Sequence, residues 1–253
     1  MGDLLQVERG NSGVYNFCLV MIPLRDTTRS PGFPFVNVTL IALSVLVFLY
    51  EASLGQNMIV FIYEFGLIPA NVISSTTGAG FYDRLYPFFS SMFLHGGWLH
   101  LIGNMLFLYI FGDNVEGRMG HFRYLLFYIV CGLAAAVFQF VTNIHSQVPM
   151  VGASGAISGV LGAYITFFPR SRILTLIPIF FFIQIIHIPA AVFILIWFII
   201  QFLSGVGSMN VPKETGGVAF WAHIGGFVAG LILARFFVKK QYRFKEPTRK
   251  YYH

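Results

Sequence analysis

Charge is what this chain has least of. Only 10% of its 253 residues are Asp, Glu, Lys or Arg, while 57% are hydrophobic; soluble domains carry about 25% charged residues. With a mean hydropathy of +0.74, that shortage excludes an ordinary water-facing fold and makes a bilayer the expected solvent. Cysteine is nearly missing as well. Cys18 and Cys131 stand far apart, neither with ligand neighbours at metal spacing, so a disulfide framework is excluded. A secretory signal layout is also lacking: Asp3 and Glu8 occupy what would be a basic start, and the apolar stretch 14–23 is too short to span. Gln6 breaks the myristoylation pattern that Gly2 would begin.

Long apolar runs, by contrast, are abundant. A spanning helix takes about 20 apolar residues, and runs at 35–54, 98–115, 120–142, 152–169, 187–206 and 217–238 predict an all-α polytopic membrane protein with six transmembrane helices. The stretch 173–203 is too long for one span and is broken by Pro178 and Pro189. Its first part is expected to approach along the membrane before the fifth helix begins. A cytoplasmic N-terminus puts fourteen Lys and Arg residues inside, against Arg84 and Lys213 outside, which fixes both termini in the cytoplasm. The chain then divides into a cytoplasmic segment 1–34, a membrane domain 35–238 and a basic cytoplasmic tail 239–253. That tail suits orientation and contact with membrane lipid headgroups, and no nucleic-acid partner is expected.

The external connection from about 55 to 97 is long and too apolar for a free linker. Its segments NMIVFIYEFGLIPA and FYDRLYPFFSSMF mix aromatics with sparse charges, as elements lying in the membrane interface do. Connections of this length are usually functional.

Polar groups inside spans are costly and therefore informative. The fourth run opens Gly152-Ala153-Ser154-Gly155, and Gly152, Gly155, Gly159 and Gly162 recur at spacings that line one helix face and permit close approach by another helix. Ser154 falls in the first turn, where unsatisfied N–H groups and the helix dipole favour developing negative charge. Taken alone, that four-residue pattern reads more readily as packing or a cap than as a nucleophile, and Ser158, one turn on, suits packing or back-bonding to a carbonyl. In the sixth run, Gly226 and Gly230 follow His223 by 3 and 7 residues, so the imidazole shares the glycine face. Two glycine-faced helices, one with Ser154 and one with His223, suggest a Ser–His contact. His95 stands just ahead of the second run, which carries His100 and Asn104, i,i+4 neighbours at about the depth of Ser154. Either can donate to an oxyanion or serve as interhelical glue.

A metal is not expected, since no H-E-x-x-H pattern occurs and no intramembrane carboxylate is read at the outer depth. Asp113 and Glu116 lie 13 and 16 residues beyond His100, about 20 Å along a helix. A Ser–His dyad therefore fits better than a triad, and no cofactor is called for.

At these residues the chain resembles the rhomboid intramembrane serine proteases, in their prokaryotic six-helix form. The carrying motifs are His95, His100 and Asn104, a Glu116-Gly117-Arg118 turn after the second helix, Gly152-Ala153-Ser154-Gly155, and Ala222-His223 with Gly226 and Gly230. The resemblance implies a catalytic Ser154 and His223, an oxyanion held by His100, Asn104 and the Ser154 amide, and supporting roles for His95, Gly152, Gly155, Gly226 and Gly230. It also implies a membrane-associated first external loop, a gate formed by the fifth helix and a cap in the loop before the sixth. Substrates would be single-span membrane proteins, and the location a prokaryotic inner membrane. Such family members often start near Met21-Ile22-Pro23-Leu24-Arg25, which leaves residues 1–20 as an extension or a misassigned start. Two rivals are an inactive client-binding relative of the same fold, which would lack the Ser or the His, and a transporter, which would show inverted repeats and midplane ion ligands.

Overall fold

The computed structural model describes residues 21–28, 30, 32–74, 80–179, 182–208 and 219–239. Residues 1–20, the tail from Lys240 onward, Lys213 and most of the loop before the sixth apolar run lie outside the described residues. Within them, each of the six runs contains a helix: α1 Phe35–Ser53, α5 Trp98–Met119, α6 His121–Thr142, α7 Ser154–Phe167, α8 Ala190–Ser208 and α9 Phe220–Phe237. Four of these, α1, α6, α8 and α9, are long and apolar enough to cross a membrane by length and composition. The helix α7 has only 14 residues, and α5 carries Asp113, Glu116 and Arg118 in its last two turns. Glu116-Gly117-Arg118 thus belongs to the helix itself, not to a turn beyond it. The 55–97 connection holds three short helices, α2 Met58–Phe65, α3 Pro69–Ile73 and α4 Phe81–Ser90.

The fold is not all-α. Strands β1 Ile22–Asp26, β2 Arg172–Ile179 and β3 Phe182–Pro189 form an antiparallel sheet in the order β1-β2-β3. The stretch expected to run along the membrane toward the fifth helix is therefore a hairpin, paired from Arg172↔Pro189 to Ile179↔Phe182. Its sequences RILTLIPI and FIQIIHIP are dense in β-branched residues, which favour pleated pairing over helix. Pro178 is tolerated because β1 pairs with β2 only from Ile173 to Leu176, so that edge of β2 is already open where the N–H is missing. Pro189 closes β3 and hands the chain to α8.

Tight helix contact organises the bundle. A Cβ added to Gly226 would lie 2.0 Å from the Gly155 carbonyl oxygen, and one added to Gly230 would lie 2.1 Å from that of Gly159. The backbones of α7 and α9 therefore touch, as small residues allow in membranes. Gly159 also meets Cys131 of α6, at 2.4 Å from the added atom to its Cβ.

At the opposite end from Ser154, a buried polar network ties α1 to the bundle. No side chain on α1 caps its first turn. Glu116 of α5 does so instead, accepting from the Val36 and Asn37 amides at 3.0 and 2.7 Å, where orphan donors and the helix dipole favour a carboxylate. Asn37 donates to the Leu108 carbonyl at 2.9 Å and accepts from Tyr124 at 2.8 Å. Beside this network Asp26 of β1 accepts from Tyr164 and Asn114. Burial, with a smaller contribution from nearby Asp113, pushes its carboxyl up to about 7.

Two outcomes follow in detergent-solubilised protein. Gly230→Val will lower the thermal midpoint, because overpacking at a backbone contact costs about 1–3 kcal/mol or more; Gly103→Ala, where an added Cβ meets nothing within 4 Å, will not. Between the ordinary carboxylate range and about 7, Asp26 is protonated when folded and ionised when unfolded. Its contribution to stability is therefore full at low pH and lost as pH rises through about 7. Midpoints measured across this window will fall with pH, and Asp26→Asn will flatten the slope.

Candidate active site

The segment ahead of α7 is pinned by the external connection. Leu67 and Met150 form an isolated antiparallel bridge, with Met150 N–H donating to Leu67 O at 2.8 Å, and Gly152 N–H donates to Ser91 O at 2.8 Å. Gly152 stands outside the helix with φ +124°, a conformation that favours glycine, so the glycine face of α7 proper starts at Gly155. A Cβ at Gly152 would lie 2.7 Å from the His100 ring. Ser154 then opens α7 as its first residue.

The glycine contact between α7 and α9 brings the two sequence-predicted partners together. His223 is 6% exposed, and its Nε2 lies 2.7 Å from Ser154 Oγ. Ser158 donates to the Ser154 carbonyl at 2.6 Å, leaving Ser154 Oγ to the imidazole. The other ring nitrogen, Nδ1, lies 2.7 Å from Oε1 of Gln201 on α8. Sequence reasoning missed Gln201; the available signal was a lone amide in the apolar run FILIWFIIQFL.

His100 and Asn104, from α5, border Gly152, two residues before Ser154: Asn104 Nδ2 lies 3.5 Å from the Cβ position of Gly152. That amide nitrogen is buried and has no partner among the described residues. Buried donors are nearly always satisfied, so an unpaired one beside a candidate nucleophile suits an acceptor that arrives with substrate. His95 is fully buried, its ring 5.3 Å from that of His100. Its amide donates to Glu51 Oε2 at 3.1 Å. Glu51, in the last turn of α1 and fully buried, corrects the expectation that no carboxylate lies at the depth of these histidines. It braces His95, not His223. A cleft beside Ser154 is lined largely by small residues, including Gly132, Ala135, Ala156, Ala219 and Ala222.

Chemically, a hydroxyl hydrogen-bonded to an imidazole in an apolar surrounding, with an unpaired donor close by, is an arrangement for acyl transfer.

Comparison with known proteins gives a consistent picture. A family model described as the Rhomboid domain matches residues 82–240, more than half of the chain. "RHOMBOID-like protein 5" of Arabidopsis thaliana is 33% identical over 159 residues, covering 62% of this chain and 46% of that protein. "Rhomboid protease GluP" of Bacillus subtilis is 30% identical over 206 residues, covering 80% and 35% respectively. "Rhomboid protein 1, mitochondrial" of Saccharomyces cerevisiae is 24% identical over 237 residues, covering 81% and 64%. The chain spans less than half the length of the first two. Relatives from a bacterium and from mitochondria assign no single membrane, and the expected prokaryotic location has no support from them.

Among the serines, Ser154 is expected to be the one a fluorophosphonate probe phosphonylates, with loss of fluoride, in lipid-embedded protein. Labelled-peptide mass spectrometry will find the adduct there and not on Ser158, whose hydroxyl is committed to a carbonyl.

Proposed function

Because the chain belongs to the rhomboid family, whose members are generally intramembrane serine proteases, we propose that it is a multi-pass endopeptidase that hydrolyses peptide bonds in or near transmembrane segments of other membrane proteins. The observation that carries this reading is the 2.7 Å contact between Ser154 Oγ and His223 Nε2, made inside an apolar bundle.

Ser154 attacks the scissile carbonyl while His223 takes its proton. The same imidazole then delivers that proton to the leaving amine, and water resolves the acyl-enzyme. The developing oxyanion accepts from the Ser154 amide, Asn104 and His100. Asn104 supports this role because its unpaired donor avoids a lasting desolvation penalty only when an acceptor is present. His95 and Glu51 brace the second ring of this wall. Gly152, Gly155, Gly226 and Gly230 let the backbones approach closely enough for the pair to form.

The cleft of small residues beside Ser154 favours small side chains next to the scissile bond. Cleavage also needs an unwound carbonyl, so single-span proteins with weakened helices near the outer leaflet are the proposed substrates. The six helices are proposed to span the bilayer with both termini cytoplasmic, in line with the distribution of Lys and Arg, and residues 35–238 form the membrane domain.

Protein reconstituted in liposomes will cleave a single-span reporter. Ser154→Ala and His223→Ala will abolish cleavage without loss of folding, and retained cleavage in Ser154→Ala overturns the mechanism. Asn104→Ala will slow cleavage by about 10²–10³-fold, the usual worth of one oxyanion donor.

A further inference from the structure

The face of His223 turned away from Ser154 is held by α8. Gln201 is 4% exposed, and its Oε1 lies 2.7 Å from His223 Nδ1. Trp197, one turn earlier on the same face, lies with its ring centroid 5.8 Å from the imidazole at 39° between planes. One turn later a Cβ at Gly205 would meet Phe220 and Trp221 at 3.3 and 3.5 Å, so α8 is seated closely against the start of α9. Trp197, Gln201 and Gly205 thus form one stripe of α8 that grips the base and its helix. An amide in an otherwise apolar run is costly unless its hydrogen bonds are made, and this one is aimed at the imidazole.

A carbonyl oxygen only accepts. Its partner Nδ1 must therefore carry the proton, which leaves Nε2 with a bare lone pair toward the Ser154 hydroxyl, the form a general base needs. We infer that Gln201 is a positioning residue that fixes the tautomer and orientation of His223. The amide does this without the fixed charge that a carboxylate would have to bury in an apolar span. When His223 takes the serine proton, the amide dipole also stabilises the imidazolium. Among the described residues, the ionisable side chain that acts on His223 is His100 of α5.

The catalytic part of this inference rests on the protease reading above, and its tests separate the two. Wild-type protein in lipid, labelled with ¹⁵N-histidine, is expected to show His223 protonated at Nδ1 and bare at Nε2, and Gln201→Leu to show mixed tautomers. In reporter cleavage, Gln201→Leu will lower kcat about 10- to 100-fold at unchanged KM, a part of the 10²–10⁴-fold that general base catalysis supplies. Gln201→Glu keeps an acceptor and adds a charge, so the acid limb of its pH–rate profile will move up by at least about one unit. A wild-type His223 protonated at Nε2 overturns the inference, whatever the protein catalyses. So does a Gln201→Leu variant with wild-type kcat and pH profile, or one whose lost activity comes with an unaltered tautomer. If wild-type protein neither cleaves nor accepts a fluorophosphonate, the protease reading falls, while the tautomer spectrum still judges Gln201.

Discussion

Everything in the site depends on two backbones touching. Gly226 and Gly230 on α9 press against the carbonyls of Gly155 and Gly159 on α7, with a Cβ position only 2.0 to 2.1 Å from those oxygens. No other residue type fits there. Without water to drive helices together, association in a bilayer relies on close packing and interhelical polar contact, and this seam supplies both. Glycines weaken a helix in solution; here they let Ser154 and His223, 69 residues apart, share one hydrogen bond.

The polar residues buried elsewhere divide by what they do. Glu116 and Asn37 tie the start of α1 to α5 and α6 through hydrogen bonds to backbone and to Tyr124. Asp26 joins β1 to Tyr164 of α7 and Asn114 of α5. These clamps hold the end of the bundle remote from Ser154. Near Ser154 the bookkeeping is different: Asn104 leaves a buried donor unpaired among the described residues, while His223 uses both ring nitrogens. An anchored scaffold at one end and a preorganised, partly unsatisfied site at the other suit chemistry that stabilises charge only as it develops.

The sequence disclosed the helices and the Ser–His pair better than it disclosed their surroundings. Apolar length marks a helix with little help from context, and the i,i+3 and i,i+7 spacing of His223 to Gly226 and Gly230 already put the imidazole on the face that meets α7. The sheet was illegible for a physical reason. Residues 172–189 are apolar but for Arg172, Thr175, Gln184 and His187, too sparse a set for alternation to betray a strand, and two prolines suggested a broken helix. Gln201 was missed because periodicity cannot say which face of α8 meets α9. Glu51 was passed over inside the first apolar run, although a lone carboxylate there had to find a partner, and it finds the His95 amide.

The central claim is that the α7–α9 glycine seam places the Ser154 hydroxyl on the His223 imidazole inside a membrane. Solid-state NMR dipolar recoupling between a ¹⁵N-labelled His223 ring and ¹³Cβ of Ser154, in liposomes, measures this directly. A hydrogen-bonded pair predicts a separation under about 4 Å, lost when Gly226 is replaced by Val. Absence of coupling in the wild-type protein, with the two groups more than about 6 Å apart and beyond any direct hydrogen bond, would contradict the account.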